Sequence, residues 1–412
     1  MQRNLLIFFF SLMLIFPTEF QLPRGIILLI LLVSSFEIAK TRFHVNKETA
    51  GWWAITMIVS VFSLLWGGFH GNPGALVTWT VAIAWPMLYF YLAGCCNSMK
   101  TIEKLLVTIV NIGLVVVIMN IIFLANAFFL NIGIINQIGE ALDFRYYMEE
   151  GFFEFRTPSQ SLMTYILFFT TTLLLLNHKY LNIGRSKLVL SVVLCLIAIL
   201  LSRRRSMWVM VIVLPFFELA FLAFYDVKSR KIISNIGKIL GVCLIGIVIL
   251  YYGISIFLDS ESLYLELLSS FDFSDNDSNY ERTLQARSLL VDFMESPIIG
   301  KGAGFVSSYV RTPDFPWQYE LTYNYKLAEL GIIGFSIYLL ATLWIFIKSR
   351  TIIAKRHELI TIILPQLSGL MAFLIINETN PYMNKFDFLW VLFLPVVSIN
   401  TILKTSNSTK QR

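Results

Sequence analysis

The sequence predicts an all-α, polytopic membrane protein, and three observations carry that prediction. Of 412 residues, 57% are hydrophobic and only 14% are charged; soluble chains carry roughly a quarter charged residues. Mean hydropathy is +0.72. The apolar residues gather into runs close to the ~20 residues that cross a hydrocarbon layer, with short polar loops between them.

About twelve such runs are present, at 4–20, 25–39, 52–69, 76–97, 105–126, 159–177, 188–202, 206–225, 239–258, 331–348, 359–377 and 387–403. The first has the position of a signal peptide. It lacks a small-residue cleavage site and the next run follows almost at once, so it reads as a span.

Orientation follows from the loops. Lys40, Arg42 and Lys47, then Lys100 and Lys104, then Lys179, Arg185 and Lys187, then Lys228, Arg230, Lys231 and Lys238, then Arg350, Lys355 and Arg356 all fall on one side. The short loops 70–75 and 378–386 on the other side hold almost none. The positive-inside rule then puts both termini in the cytoplasm. The net charge of +6 reflects this topology, and the scattered basic residues share no face that would bind nucleic acid.

Two outer segments are long. Residues 127–158 mix apolar and acidic residues with Arg145 and Arg156. Residues 259–330 form the longest polar stretch, with Asp272, Asp275 and Asp277 ahead of Tyr280-Glu281-Arg282. Leu284 to Met294 predicts a short amphipathic helix ended by Pro297 and Gly300. Long ordered loops are usually functional. With no internal repeat or low-complexity linker, 1–412 reads as a single integral membrane domain.

The four cysteines lie in or beside apolar runs without metal-ligand spacing, and the four histidines fall in four different loops. Neither a disulfide framework nor a metal centre is expected, and no cofactor motif is present.

Charge held on the disfavoured side marks the functional candidates. Arg203, Arg204 and Arg205 sit together at an outer junction between two spans. Guanidinium groups suit phosphate oxygens at a membrane edge, although snorkelling to lipid headgroups is the plainer account. In the long loop, Arg282 and Arg287 are five residues apart and so not quite on one helical face. The glycines at 300, 302 and 304 predict a tight turn with exposed backbone N–H groups, without nucleotide P-loop spacing. Glu320, a few residues before the tenth span, is placed to act as general base on a sugar hydroxyl; it could equally pair with one of the arginines. Glu329 lies near a helix start, where the dipole alone favours a carboxylate. Tyr280, Tyr323 and Asn324 complete the substrate-binding candidates.

Taken in order, an Arg-bearing outer loop, Pro297-Ile298-Ile299-Gly300-Lys301-Gly302-Ala303-Gly304 and Leu327-Ala328-Glu329-Leu330-Gly331-Ile332-Ile333-Gly334 resemble the O-antigen polymerase and O-antigen ligase superfamily. Arg205-Ser206-Met207-Trp208 loosely fits its Ser-Arg-small pattern. The motifs cover roughly residues 195–345. Ligases carry a His eleven residues before the first Gly of the Gly-x-x-Gly pair; here that position is Glu320. The departure favours the polymerases, known as Wzy.

The resemblance implies a GT-C-like, metal-independent glycosyltransferase in a bacterial cytoplasmic (inner) membrane. It would join undecaprenyl-diphosphate-linked repeat units of O-antigen, capsule or exopolysaccharide on the outer face, with a chain-length regulator as a further partner. Arg205 and Arg282, with Arg203, Arg204 or Arg287, would stabilise the leaving diphosphate, and Glu320 would take the acceptor proton. Two alternatives stand beside it: a ligase transferring glycan to lipid A core in lipopolysaccharide, and a polysaccharide flippase or transporter.

Overall fold

The computed structural model describes residues 2–96, 98–149, 152–176, 181–202, 204–225, 237 and 277–410. Among the described residues the regular structure is helical apart from one short hairpin. In chain order, α1 is Gln2–Ile15, α2 Gln21–Arg42, α3 Lys47–Phe69 and α4 Ala75–Cys95, the last interrupted by a π-helical turn at Thr80–Ala84. Then come α5 Met99–Ala125, α6 Gly133–Ala141, β1 Arg145–Glu149, β2 Phe152–Arg156, α7 Gln160–Leu176, α8 Arg185–Leu201 and α9 Arg205–Phe224. The remainder is α10 Asp277–Glu295, α11 Thr322–Lys355, α12 Ile360–Asn377 and α13 Phe386–Lys410.

Among the described residues, eight helices are long and apolar enough to cross a membrane. The expected spans at 4–20 and 159–177 appear as shorter apolar helices, and α8 has 17 residues. The expected span 239–258 lies outside the described residues, as do residues 259–276 of the long outer loop. Several of the long helices cannot be explained as parts of a water-soluble fold. Along α2, Leu22, Ile26, Leu29, Ile30 and Val33 are all at least half exposed. A helix that keeps its apolar residues uncovered is stable where lipid covers them. The chain is a multi-pass membrane protein.

The chain divides into two compact units, each drawn from three separate segments. The first takes 1–41, 98–263 and 349–376. Its centre is α7, whose residues from Gln160 to Leu173 are all buried. Asn120 of α5 ties the entry to α7: Thr157 Oγ1 donates to its Oδ1 at 2.7 Å, and its Nδ2 donates to Ser159 Oγ at 3.1 Å.

The segment expected as outer, 127–158, carries regular structure of its own among its described residues. It holds α6 and the antiparallel pair β1–β2, with Tyr147 opposite Glu154 and Met148 opposite Phe153. The hairpin is a local exception within the expected all-α fold. Two aromatic-rich pentapeptides flank Glu150-Gly151, a composition that favours paired strands over helix.

The second unit takes 42–97, 264–348 and 377–412. Here α3 starts on Asn46, whose side chain accepts the Glu48 N–H at 3.0 Å. The extended span α11 is broken once, at Gly331, where φ is 63° and ψ is −178°. That break organises the candidate site.

Candidate functional site

The site is built on the junction between α10 and the start of α11, in the second unit. Positions 282, 285, 286, 289 and 293 recur at helical spacing along α10 and form one face. Leu289 from that face joins Phe305, Tyr319, Leu321, Tyr325 and Ala328 in a buried cluster. Within it the Phe305 and Tyr325 rings stack at 5.1 Å and the Tyr319 and Tyr325 rings at 5.0 Å. Burying each such side chain contributes about 2 kcal/mol, enough to fix the loop 296–321 against the helix.

The polar residues of the same face then reach the strand-like segment before α11. Gln285, 1% exposed, accepts the backbone N–H groups of both Glu320 and Leu321 at 3.1 Å. One turn earlier, Arg282 Nε donates to Glu320 Oε2 at 3.1 Å. Arg311 Nη1 comes within 2.5 Å of the same oxygen, close enough for an ion pair though not aligned as a hydrogen bond. Arg311 Nε lies 2.7 Å from Glu281 Oε2. The result is a four-residue network, Arg282–Glu320–Arg311–Glu281, with two guanidiniums gathered on one carboxylate oxygen.

These side chains are about one-third exposed, from 29% to 39%. Ion pairs at such exposure contribute on the order of 1 kcal/mol or less, so the network orients the guanidiniums more than it stabilises the fold. Of the two readings of Glu320 open in the sequence, the geometry realises the arginine partner.

The glycine turn behaves differently from the sequence expectation. Its N–H groups are not presented to a ligand. Gly300 N donates to Ser296 O, Lys301 N to Ala328 O, Gly302 N to Glu329 O and Ala303 N to Ser63 O, all between 2.9 and 3.0 Å. Gly304 N donates to the Tyr325 hydroxyl at 3.3 Å. Asn72 clamps the carbonyls of Lys301, Gly302 and Ala303 through its Nδ2, at 3.0 to 3.3 Å. The turn plugs the break in α11, where Ile332 N donates to Pro297 O at 2.8 Å. Gly331 has no alternative there: besides its positive φ, a Cβ would strike the Ile298 carbonyl. At Gly304, φ is 69° and a Cβ would meet the Gly74 backbone. The two glycine motifs are halves of one packing contact.

Two other groups complete the N-terminal end of α11. Glu378, just beyond α12, accepts the Tyr323 N–H on Oε2 at 2.9 Å, and its carbonyl accepts the Thr322 N–H at 3.1 Å. Partial burial raises the proton affinity of its carboxyl above the ordinary range, against the pull of that N–H. Lys326 Nζ lies 2.6 Å from Glu329 Oε2, and the Glu329 side chain is 1% exposed. Glu329 is thus a buried ion-pair partner two residues before the break, not a dipole-stabilising residue at the helix start. Burial pushes the Tyr319 hydroxyl up to about 12, so it stays protonated while accepting the Ser307 N–H.

The remaining candidates are placed as follows. Tyr280 is 64% exposed and Arg287 is exposed, on the side of α10 away from Arg282. Tyr323 and Asn324 are half-buried in the first turn of α11. In the first unit, Arg204 is half-buried just before α9 and its carbonyl accepts the N–H groups of Met207 and Trp208, while Arg205 is the first residue of that helix. Arg203 lies outside the described residues. The structure brings Arg282 to Glu320, and it adds Arg311, Glu281, Gln285 and Glu378, which sequence reading did not select. Arg311 had a signal: a cation in a loop that the positive-inside bias assigns to the disfavoured side. Gln285 and Glu378 had none, because their roles depend on which backbone N–H groups they meet.

No family model, curated protein or solved structure matches the chain.

Proposed function

We propose that this chain is a membrane-embedded polysaccharide polymerase that joins undecaprenyl-diphosphate-linked repeat units. In this reading it crosses a bacterial cytoplasmic membrane about twelve times in a GT-C-like arrangement, with both termini inside. Polymerisation takes place on the outer face.

One observation supports this most: two guanidiniums, Arg282 and Arg311, converge on Glu320 at the head of an apolar span. Each guanidinium has five N–H donors, and the carboxylates occupy only some of them. The others are available to diphosphate oxygens, with the geometry already set by Glu281 and Glu320. Fixed cations of this kind stabilise negative charge as it develops on a departing diphosphate. Arg203, Arg204 and Arg205 are a second candidate clamp, and Tyr280, Tyr323 and Asn324 candidate sugar contacts. Membrane lipid and a chain-length regulator are the other expected partners.

The decisive experiment deletes the chain in its host and sizes the glycan on the lipid carrier and at the cell surface. Single repeat units at the surface with no ladder are expected. Long chains stranded on the carrier would instead mean a ligase, and single units trapped on the cytoplasmic leaflet a flippase. Unchanged glycan pools would overturn the reading altogether.

A further inference from the structure

We infer that Glu378, and not Glu320, is the group that takes the proton from the acceptor hydroxyl. The inference rests on the polymerase reading and deepens it.

Two carboxylates flank the start of α11, and their surroundings divide two tasks between them. Glu320 Oε2 is engaged by Arg282 and Arg311 together. To act as base there, it would have to take a proton onto a carboxylate that two guanidiniums hold as an anion, which would weaken both contacts. Glu378 has no cation against it among the described residues. Its Oε2 accepts one backbone N–H, from Tyr323 at 2.9 Å. That contact fixes its direction and leaves lone pairs uncommitted.

The position is also held firmly. Thr322 Oγ1 donates to the Asn377 carbonyl at 2.7 Å and Thr322 N–H to the Glu378 carbonyl at 3.1 Å. On the other side, Asn377 Oδ1 accepts the Met383 N–H at 2.9 Å. The two Thr322 contacts and the Tyr323 N–H therefore fix residues 377 and 378 to the first turn of α11, two residues beyond Glu320. The carboxyl is half-buried, so it is partly desolvated yet still reachable. Partial burial strengthens its hold on a proton, as a general base requires. Where two titratable groups in one site have environments that separate their behaviour, their roles separate too.

The step balances without a further reagent. The acceptor hydroxyl oxygen bonds to the anomeric carbon, and the bond from that carbon to the diphosphate oxygen breaks. The electron pair leaves with the diphosphate, which Arg282 and Arg311 receive. The hydroxyl proton passes to Glu378 and from there to water.

The test uses the full chain in proteoliposomes with a lipid-linked repeat unit, comparing wild type, Glu378→Gln, Glu378→Asp and Glu320→Gln. An amide oxygen still accepts the Tyr323 N–H, so Glu378→Gln should fold, which thermal unfolding checks. Turnover at saturating substrate should fall about 100-fold or more in Glu378→Gln, with KM within about threefold. Glu378→Asp should retain measurable turnover. Glu320→Gln should raise KM and lower turnover by less than Glu378→Gln does, because it loosens the arginines without removing them. Wild-type turnover in Glu378→Gln, or a loss confined to KM, would overturn the inference while leaving the polymerase reading intact. If wild-type chain makes no polymer and its deletion leaves both glycan pools unchanged, the polymerase reading fails and takes this inference with it.

Discussion

Glu218 in the first unit and Glu320 in the second are both acidic side chains in an apolar protein, and they are satisfied in opposite ways. Glu218, 1% exposed within α9, receives two neutral donors on Oε1: Thr172 Oγ1 at 2.8 Å and Ser368 Oγ at 2.7 Å. No cation faces it among the described residues. Glu320, 29% exposed, is held by two guanidiniums. The difference follows from what each environment tolerates. Deep among helices, importing a second ion adds a desolvation penalty of several kcal/mol, whereas hydroxyls on neighbouring helices cost little to bury. At the membrane edge, arginines can keep part of their hydration and pair at small cost. One carboxylate joins three helices, α7, α9 and α12; the other presents cations.

The comparison breaks most visibly at Glu218. Glu218→Lys places an unpaired ammonium against two hydroxyls, and desolvating an ion at such a buried site costs several kcal/mol. A large loss of folded protein in lipid is expected, measured by thermal unfolding of purified chain. Glu218→Gln keeps an acceptor for both hydroxyls and should stay within about 1 kcal/mol of wild type. Equal behaviour of the two variants would mean that hydroxyl acceptance is not what holds these helices together.

At Glu320 the expected effect moves from stability to function. Arg282→Lys and Arg311→Lys each keep a charge but lose the planar fork, so stability should change by less than about 1 kcal/mol. Activity should fall about tenfold or more, read as polymer length and turnover in the proteoliposome assay. If both Lys variants polymerise like wild type, the network only anchors the loop.

How far the sequence revealed this depends on the type of interaction. Hydropathy located α3, α5, α9 and α12 because length and apolarity determine a span locally. The span expected at 331–348 begins at the Gly331 break, while α11 itself runs from Thr322 to Lys355. Hydropathy sees only the apolar part of a helix that continues into polar surroundings. Likewise α10 starts at Asp277 and not at Leu284, because its polar first turns carry no apolar period. The Gly-Lys-Gly-Ala-Gly run was legible as a turn, but its N–H partners, Ala328 O, Glu329 O and Ser63 O, come from distant segments. Arg282 was legible by type and placement. Arg311 joined it only through tertiary contact with Glu320.

The smallest predicted effect concerns Glu378, and its sign separates a base from a structural acid. Burial raises the carboxyl's proton affinity in the folded chain above its unfolded value. The folded state therefore gains from the protonated form; that contribution is complete below the ordinary Glu range and is lost as pH rises through the raised folded value. Glu378→Gln, which cannot ionise, should lose this dependence and be slightly more stable than wild type at neutral pH. Thermal unfolding of both proteins from acid to neutral pH would show the two curves diverging upward for the variant. A purely structural carboxylate, stabilised as an anion by the Tyr323 N–H, predicts the reverse, with wild type the more stable at neutral pH. A variant that gains stability at neutral pH while losing turnover would mean that Glu378 is kept as an acid at a cost to the fold, and catalysis supplies a reason to keep it.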